Sequence, residues 1–149
     1  MKKRKKNKIL VIHGPNLHLL GKRQPNIYGK VTLNELNKKL YQKATTNNID
    51  IEIIQSNSES KIVDKITNTE YDFLIINPAA FTHTSVAIKD AILAVEKPTI
   101  EVHLSNIYKR EDFRKHSVIS DAVLGVISGF KEASYFLALD YAISCLKNL

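Results

Sequence analysis

With 149 residues, 44% of them apolar, the chain has the size of one domain with a core of its own, and nothing in it suggests a second. Its formal net charge of +7 points to a nucleic-acid partner only until the charge is located: Lys2, Lys3, Arg4, Lys5, Lys6 and Lys8 supply six of the 22 basic residues, and the remaining 16 face 15 acidic ones. The body is therefore nearly neutral, and no nucleic-acid partner is expected. The basic run is read as a solvated, disordered tail over residues 1–7, ahead of a single domain over 8–149. The apolar run after it stops too soon for a secretion signal, and no later stretch is long enough to span a membrane. One cysteine, Cys145, allows neither an internal disulfide nor a cysteine-based zinc site, which fits a cytoplasmic protein.

Ile9 to Ile12 is a short run of branched apolar residues, as a strand buried on both faces requires, and it breaks at His13-Gly14-Pro15-Asn16. From Gly14 to Val31 glycine and proline are too frequent for a helix interior, so this stretch is expected to be a working loop carrying Asn16, Arg23 and Tyr28. Thr32-Leu33-Asn34-Glu35 has the form of a capping box, and Leu33, Leu36, Leu40 and Ala44 follow on one helical face. Ile49 to Ile54 alternates like a strand nearer the sheet edge, and a second helix turns Ile62, Val63 and Ile66 inward. Phe73 to Ile76 is another buried strand, ended by Asn77-Pro78. A helix with Val86, Ala87, Ala91 and Val95 inward comes next. Pro98 to His103 is the fourth strand, Ala122 to Ser128 the fifth, and Phe130 to Leu146 the closing helix. Asn106 to Lys115 also reads as helical.

Strands alternating with helices require right-handed crossovers and a parallel sheet covered on both faces, so the fold class is α/β, doubly wound. Five strands suggest the flavodoxin-like order 2-1-3-4-5, with the ligand beyond the carboxyl ends of the strands. Three strands end in chemistry there. Glu101 and His103 are two apart on a strand and share a face, so the carboxylate can orient and charge the imidazole and make it an acid. Arg110 and Arg114, four apart, can form an anion or polyol clamp. Ser105 follows a strand end where free N–H groups suit a carboxylate. Tyr28 can serve as a base if cations such as Arg23 stabilise its phenolate. The phosphate cradles of dinucleotide and P-loop proteins and the nucleophile elbow of serine hydrolases are missing. His83, His103 and His116 lack close helical spacing, so no metal is expected.

Three blocks in order resemble the type II 3-dehydroquinate dehydratases: Gly14-Pro15-Asn16-Leu17 with Leu20-Gly21, Arg23, Pro25 and Tyr28-Gly29; Asn77-Pro78 with Thr82 through Asp90; and Glu101 through Asn106 with Arg110-Glu111 and Phe113-Arg114. The resemblance covers nearly the whole chain after the basic tail. It implies cofactor-free trans dehydration of 3-dehydroquinate to 3-dehydroshikimate, in aromatic biosynthesis or quinate breakdown. It further implies Tyr28 as base beside Arg23, Asn16 stabilising an enolate oxygen, and His103, oriented by Glu101, as acid. Asn77 would hold the region of the departing hydroxyl. The substrate carboxylate would sit on Leu104 and Ser105, the ring hydroxyls on His83 and Arg114, and Arg110 would close the lid over Tyr28. A homo-oligomer is implied as well, a dodecamer built from trimers, with Asp90 reaching a neighbouring subunit's site. Ala79-Ala80, His18 and Ser60 depart from the family's usual residues and bear on loop geometry.

Two other classes compete with this reading. A non-enzymatic binding module of the same fold would explain the arginines, but it leaves the tyrosine and the Glu-x-His pair without a purpose. A nucleic-acid binder working through the basic tail would lose its affinity steeply with salt.

Overall fold

The computed structural model describes residues 5–148. The first four residues of the expected tail lie outside it; Lys5 pairs with Glu70 at 2.7 Å, and Asn7 accepts the Asp50 N–H at 2.9 Å, just ahead of the first strand. Five parallel strands form one sheet in the order 2-1-3-4-5, as expected: β1 (Lys8–His13), β2 (Asp50–Gln55), β3 (Phe73–Asn77), β4 (Thr99–His103) and β5 (Gly125–Ser128). Side chains along β1 alternate between the two faces of the sheet. Ile9 and Val11 join one core with α2 (Leu33–Thr46) and α5 (Ala133–Lys147), through Leu36, Leu40, Ala44, Ala138 and Leu139. Leu10 and Ile12 join the other with α3 (Glu59–Asn68) and α4 (Val86–Val95), through Ile62, Ile66, Ile88 and Ile92. This two-sided burial is why β1 and β3 read as apolar runs; β4 is equally buried but carries Thr99, Glu101 and His103. The edge strand β2 is only partly buried and keeps its alternation.

The capping box at α2 is present in full: Thr32 Oγ1 accepts the Glu35 N–H at 3.2 Å, and Glu35 Oε2 accepts the Thr32 N–H at 3.1 Å. It satisfies two donors that helix geometry leaves orphaned.

Four expectations change. The loop from Gly14 holds a 3-10 turn at Leu17–Leu19 and a single α-turn, α1 (Pro25–Tyr28), which proline can open because its missing N–H is not needed there. Asn106 to Lys115 is not one helix but two 3-10 turns, Ile107–Lys109 and Asp112–Lys115. Arg110 between them is extended at φ −100°, ψ −171°, and its guanidinium bonds to side chains of the cleft. The fifth strand begins only at Gly125, because a 3-10 turn takes Ser120–Ala122. In α4 the buried residues are Ile88, Ala91 and Ile92, while Val86 is 58% exposed and Ala87 is exposed. That helix is apolar nearly all round, so periodicity alone could not choose its inner face.

Candidate active site

The chain passes from β1 to β2 on one side and returns to β3 on the other, so the ends of β1 and β3 part at a topological switch point. Gly14 makes the close approach there possible. Its N–H bonds to Asn77 O at 2.8 Å, and a Cβ on it would stand 2.5 Å from Pro78 O, too close for any side chain. The backbone that follows is held from the end of β2. Gln55 Nε2 donates to Gly14 O at 3.1 Å, and Asn57 Oδ1 accepts the Asn16 N–H at 3.0 Å. Asn16 takes a left-handed φ of 67°, a conformation asparagine tolerates better than most residues. Across the gap Ala79, one of the departures noted above, also stands at a left-handed φ of 51°, and Asn77 Oδ1 holds its N–H at 3.1 Å.

Asn16, Arg23, Tyr28, Asn77, His83, His103, Leu104, Ser105, Arg110 and Arg114 all line one cleft beyond the strand ends. Glu101 lies beneath it, fully buried, with Oε2 2.8 Å from His103 Nε2. Because that nitrogen faces a carboxylate it carries the proton, and no protein group among the described residues bonds Nδ1. Asp90, on α4, is exposed and does not line this cleft.

Tyr28 is brought in by α1 and met by two cations. Arg110 Nη1 donates to the phenol oxygen at 3.2 Å and to Ser105 Oγ at 3.1 Å, and the Arg110 guanidinium carbon stands 5.4 Å from the ring centroid. The Arg23 guanidinium carbon lies 5.6 Å from the same centroid. The direct hydrogen bond to the phenol thus comes from Arg110, whereas the sequence pointed to Arg23. His83 Nδ1 donates to His116 O at 2.7 Å, which leaves Nε2 as an acceptor in the neutral ring. Glu111 Oε2 lies 2.8 Å from Arg114 Nε and orients that guanidinium. The N–H groups of Leu104 and Ser105 bond to no other protein group among the described residues. Among those residues no group of three or more His, Cys, Asp or Glu is placed to hold a metal ion, and no helix is long and apolar enough to cross a membrane.

The profile of the family described as Dehydroquinase class II matches residues 7–143. The chain belongs to the class II dehydroquinase family. It is 56% identical over 138 residues to the 3-dehydroquinate dehydratase of Acinetobacter baylyi, covering 91% of this chain and 93% of that one. With the 3-dehydroquinate dehydratase of Clostridium botulinum the identity is 51% over 142 residues, covering 94% and 97%. The crystal structure of type II dehydroquinase from Propionibacterium acnes superposes with a TM-score of 0.88 at 39% identity, over 95% of this chain and 99% of that one. Membership in the class II dehydroquinases agrees with the resemblance carried by the three sequence blocks, all of which contribute to the cleft.

Two groups of residues in this family member went unnoticed in the sequence. Ser117 and Ser120 bond to the Glu101 carboxylate at 2.9 and 3.3 Å, yet they lie 16 and 19 residues away from it in a segment without a recognisable motif. Gln55 and Asn57 read only as a polar turn. No periodicity or spacing could have joined either group to the site.

Proposed function

We propose that this protein is a 3-dehydroquinate dehydratase that converts 3-dehydroquinate to 3-dehydroshikimate by trans elimination through an enolate, without metal or cofactor. Tyr28, as phenolate, takes the proton next to the ketone, and the electron pair of that C–H bond moves onto the carbonyl oxygen. Asn16, through a water, stabilises the resulting oxyanion. The enolate then collapses to the conjugated enone, the C–O bond to the departing hydroxyl breaks, and His103 delivers the proton that makes it water. Asn77 holds the region of that leaving group. The substrate carboxylate lies on the N–H groups of Leu104 and Ser105, and His83 and Arg114 hold the ring hydroxyls.

The observation that carries this reading is the environment of Tyr28. Its phenol oxygen accepts from Arg110, and Arg23 stands beside its ring. In the same cleft His103 is bonded to the buried Glu101 carboxylate. A phenol flanked by cations and an imidazole backed by a carboxylate suit the two proton transfers that elimination requires and a passive binding site does not. A homo-oligomer built from trimers, with Asp90 of each subunit reaching a neighbour's cleft, and action in the cytoplasm belong to the same proposal. Val86 and Leu93, 58% and 51% exposed, leave apolar surface on the helix that carries Asp90, which suits a subunit contact. Incubating the purified protein with 3-dehydroquinate and following the ultraviolet absorbance of the conjugated enone tests the activity. Absorbance that never rises, from protein with native circular dichroism and an oligomeric mass by light scattering, would refute it.

A further inference from the structure

Glu101 is fully buried, and an ionised carboxylate in that position is costly unless donors surround it. Its register partners on the neighbouring strands, Ile76 and Val126, carry no charge. The charged and titratable side chains lining the cleft above it are Arg23, Tyr28, His83, His103, Arg110 and Arg114, and of these only His103 is bonded to it. The remaining donors come from the strap of residues 116–120 that follows the arginine-bearing turns. Ser117 Oγ lies 2.9 Å from Glu101 Oε1, and Ser120 Oγ 3.3 Å from Oε2.

The Ser117 hydroxyl is not a free rotor. Its oxygen accepts the N–H groups of Ile119 and Ser120, each at 3.1 Å. Those bonds occupy both lone pairs and leave its single proton for the carboxylate. The same strap is anchored to the turn that bears His83, through Val118 N–H to Thr82 O at 2.9 Å and His83 Nδ1 to His116 O at 2.7 Å. Ser117 therefore has a fixed direction and a fixed place relative to Glu101.

We propose that Ser117 is a positioning residue of the acid half of the site: its hydroxyl fixes the Glu101 carboxylate in the orientation that bonds His103 Nε2, and through it fixes the imidazole in the cleft. The kinetic consequence rests on the dehydration reading; the orienting one does not. A serine that only shaped the turn would affect stability alone.

The test compares Ser117→Ala and Ser117→Thr with the wild type. It measures kcat and KM, together with the NMR signals of the His103 imidazole in substrate-free protein, assigned with His103→Gln. Ser117→Ala should lower kcat about tenfold near neutral pH with KM changed less than about twofold. It should also shift the signal of the His103 Nε2–H that bonds Glu101. Ser117→Thr, which keeps the hydroxyl, should restore both. An alanine variant that loses thermal stability but keeps the wild-type kcat and His103 signals would overturn the proposal. If the wild type turned over no 3-dehydroquinate while the Nε2–H signal still moved in Ser117→Ala, the dehydration reading would fail and the positioning role would stand.

Discussion

Two histidines end strands of the same sheet, and their partners set them apart. His13 closes β1, fully buried, with Nδ1 2.8 Å from Tyr135 Oη and Nε2 2.8 Å from Asn37 Oδ1. An amide oxygen can only accept, so Nε2 carries the proton and Nδ1 accepts from the tyrosine. Neither partner is charged, and burial pushes the imidazole from its ordinary 6.5 down to about 4. His103 closes β4, 5% exposed, with the carboxylate of Glu101 on its Nε2. The residue type and the strand position are alike. The difference teaches that a neutral hydrogen-bonded pocket keeps a histidine as a neutral brace, whereas a carboxylate on one nitrogen leaves the other free of protein partners among the described residues at the edge of a cleft.

The comparison breaks first on turnover. His103→Gln and Tyr28→Phe each remove a proposed proton-transfer group while keeping most of the packing, and each should cost on the order of 10²–10⁴ in kcat. His13→Gln should cost roughly tenfold or less, measured by enone formation on folded oligomer. Equal losses at His13 and His103 would erase the distinction, and near-normal turnover in Tyr28→Phe would remove the tyrosine from the role of base.

Acid stability comes next. The unfolded chain protonates His13 near 6.5, but the folded chain only near 4. Within that window the unfolded state binds more protons, so stability falls as the pH falls, by about 3 kcal/mol in all. The contribution is fully present above 6.5 and gone below about 4. His13→Gln should flatten this part of the curve, read from urea midpoints at pH 7 and pH 4.5. A variant with the wild-type slope would show that His13 is not the group that titrates.

Exchanging the partners sharpens the contrast. Glu101→Gln gives His103 a neutral partner, as His13 has, and should lower kcat at neutral pH about ten- to a hundredfold. Wild-type turnover in this variant would mean that the carboxylate does not support the acid. The reverse swap, Asn37→Asp, places a carboxylate on His13 and has the smallest expected effect. NMR should find His13 protonating at least about one unit higher than in the wild type, with kcat within roughly threefold. An imidazole still titrating near 4 would show that burial outweighs the added charge.

How much of this was legible in the sequence follows the range over which each signal acts. The capping box at Thr32, the buried runs of β1 and β3, and the pairing of Glu101 with His103 are local patterns of four residues or fewer, and the structure has them as read. Asn106 to Lys115 had a helical pattern, but Arg110 breaks it in extended geometry, with its guanidinium bonded to Tyr28, 82 residues away. The inner face of α4 was settled by packing against its neighbours, since Val86 and Ile88 are equally apolar.

The sequence by itself determined the alternation of strands and helices, hence the parallel sheet, and the residue types gathered at the strand ends, because period and composition act along the chain. Only the tertiary structure decided that Arg110 is the cation bonded to the phenol, that Ser117 and Ser120 hold the buried carboxylate, and that His13 stays neutral. Charge state and hydrogen-bond partner depend on distances of a few ångströms between segments far apart in the chain, and those distances exist only once the chain has folded.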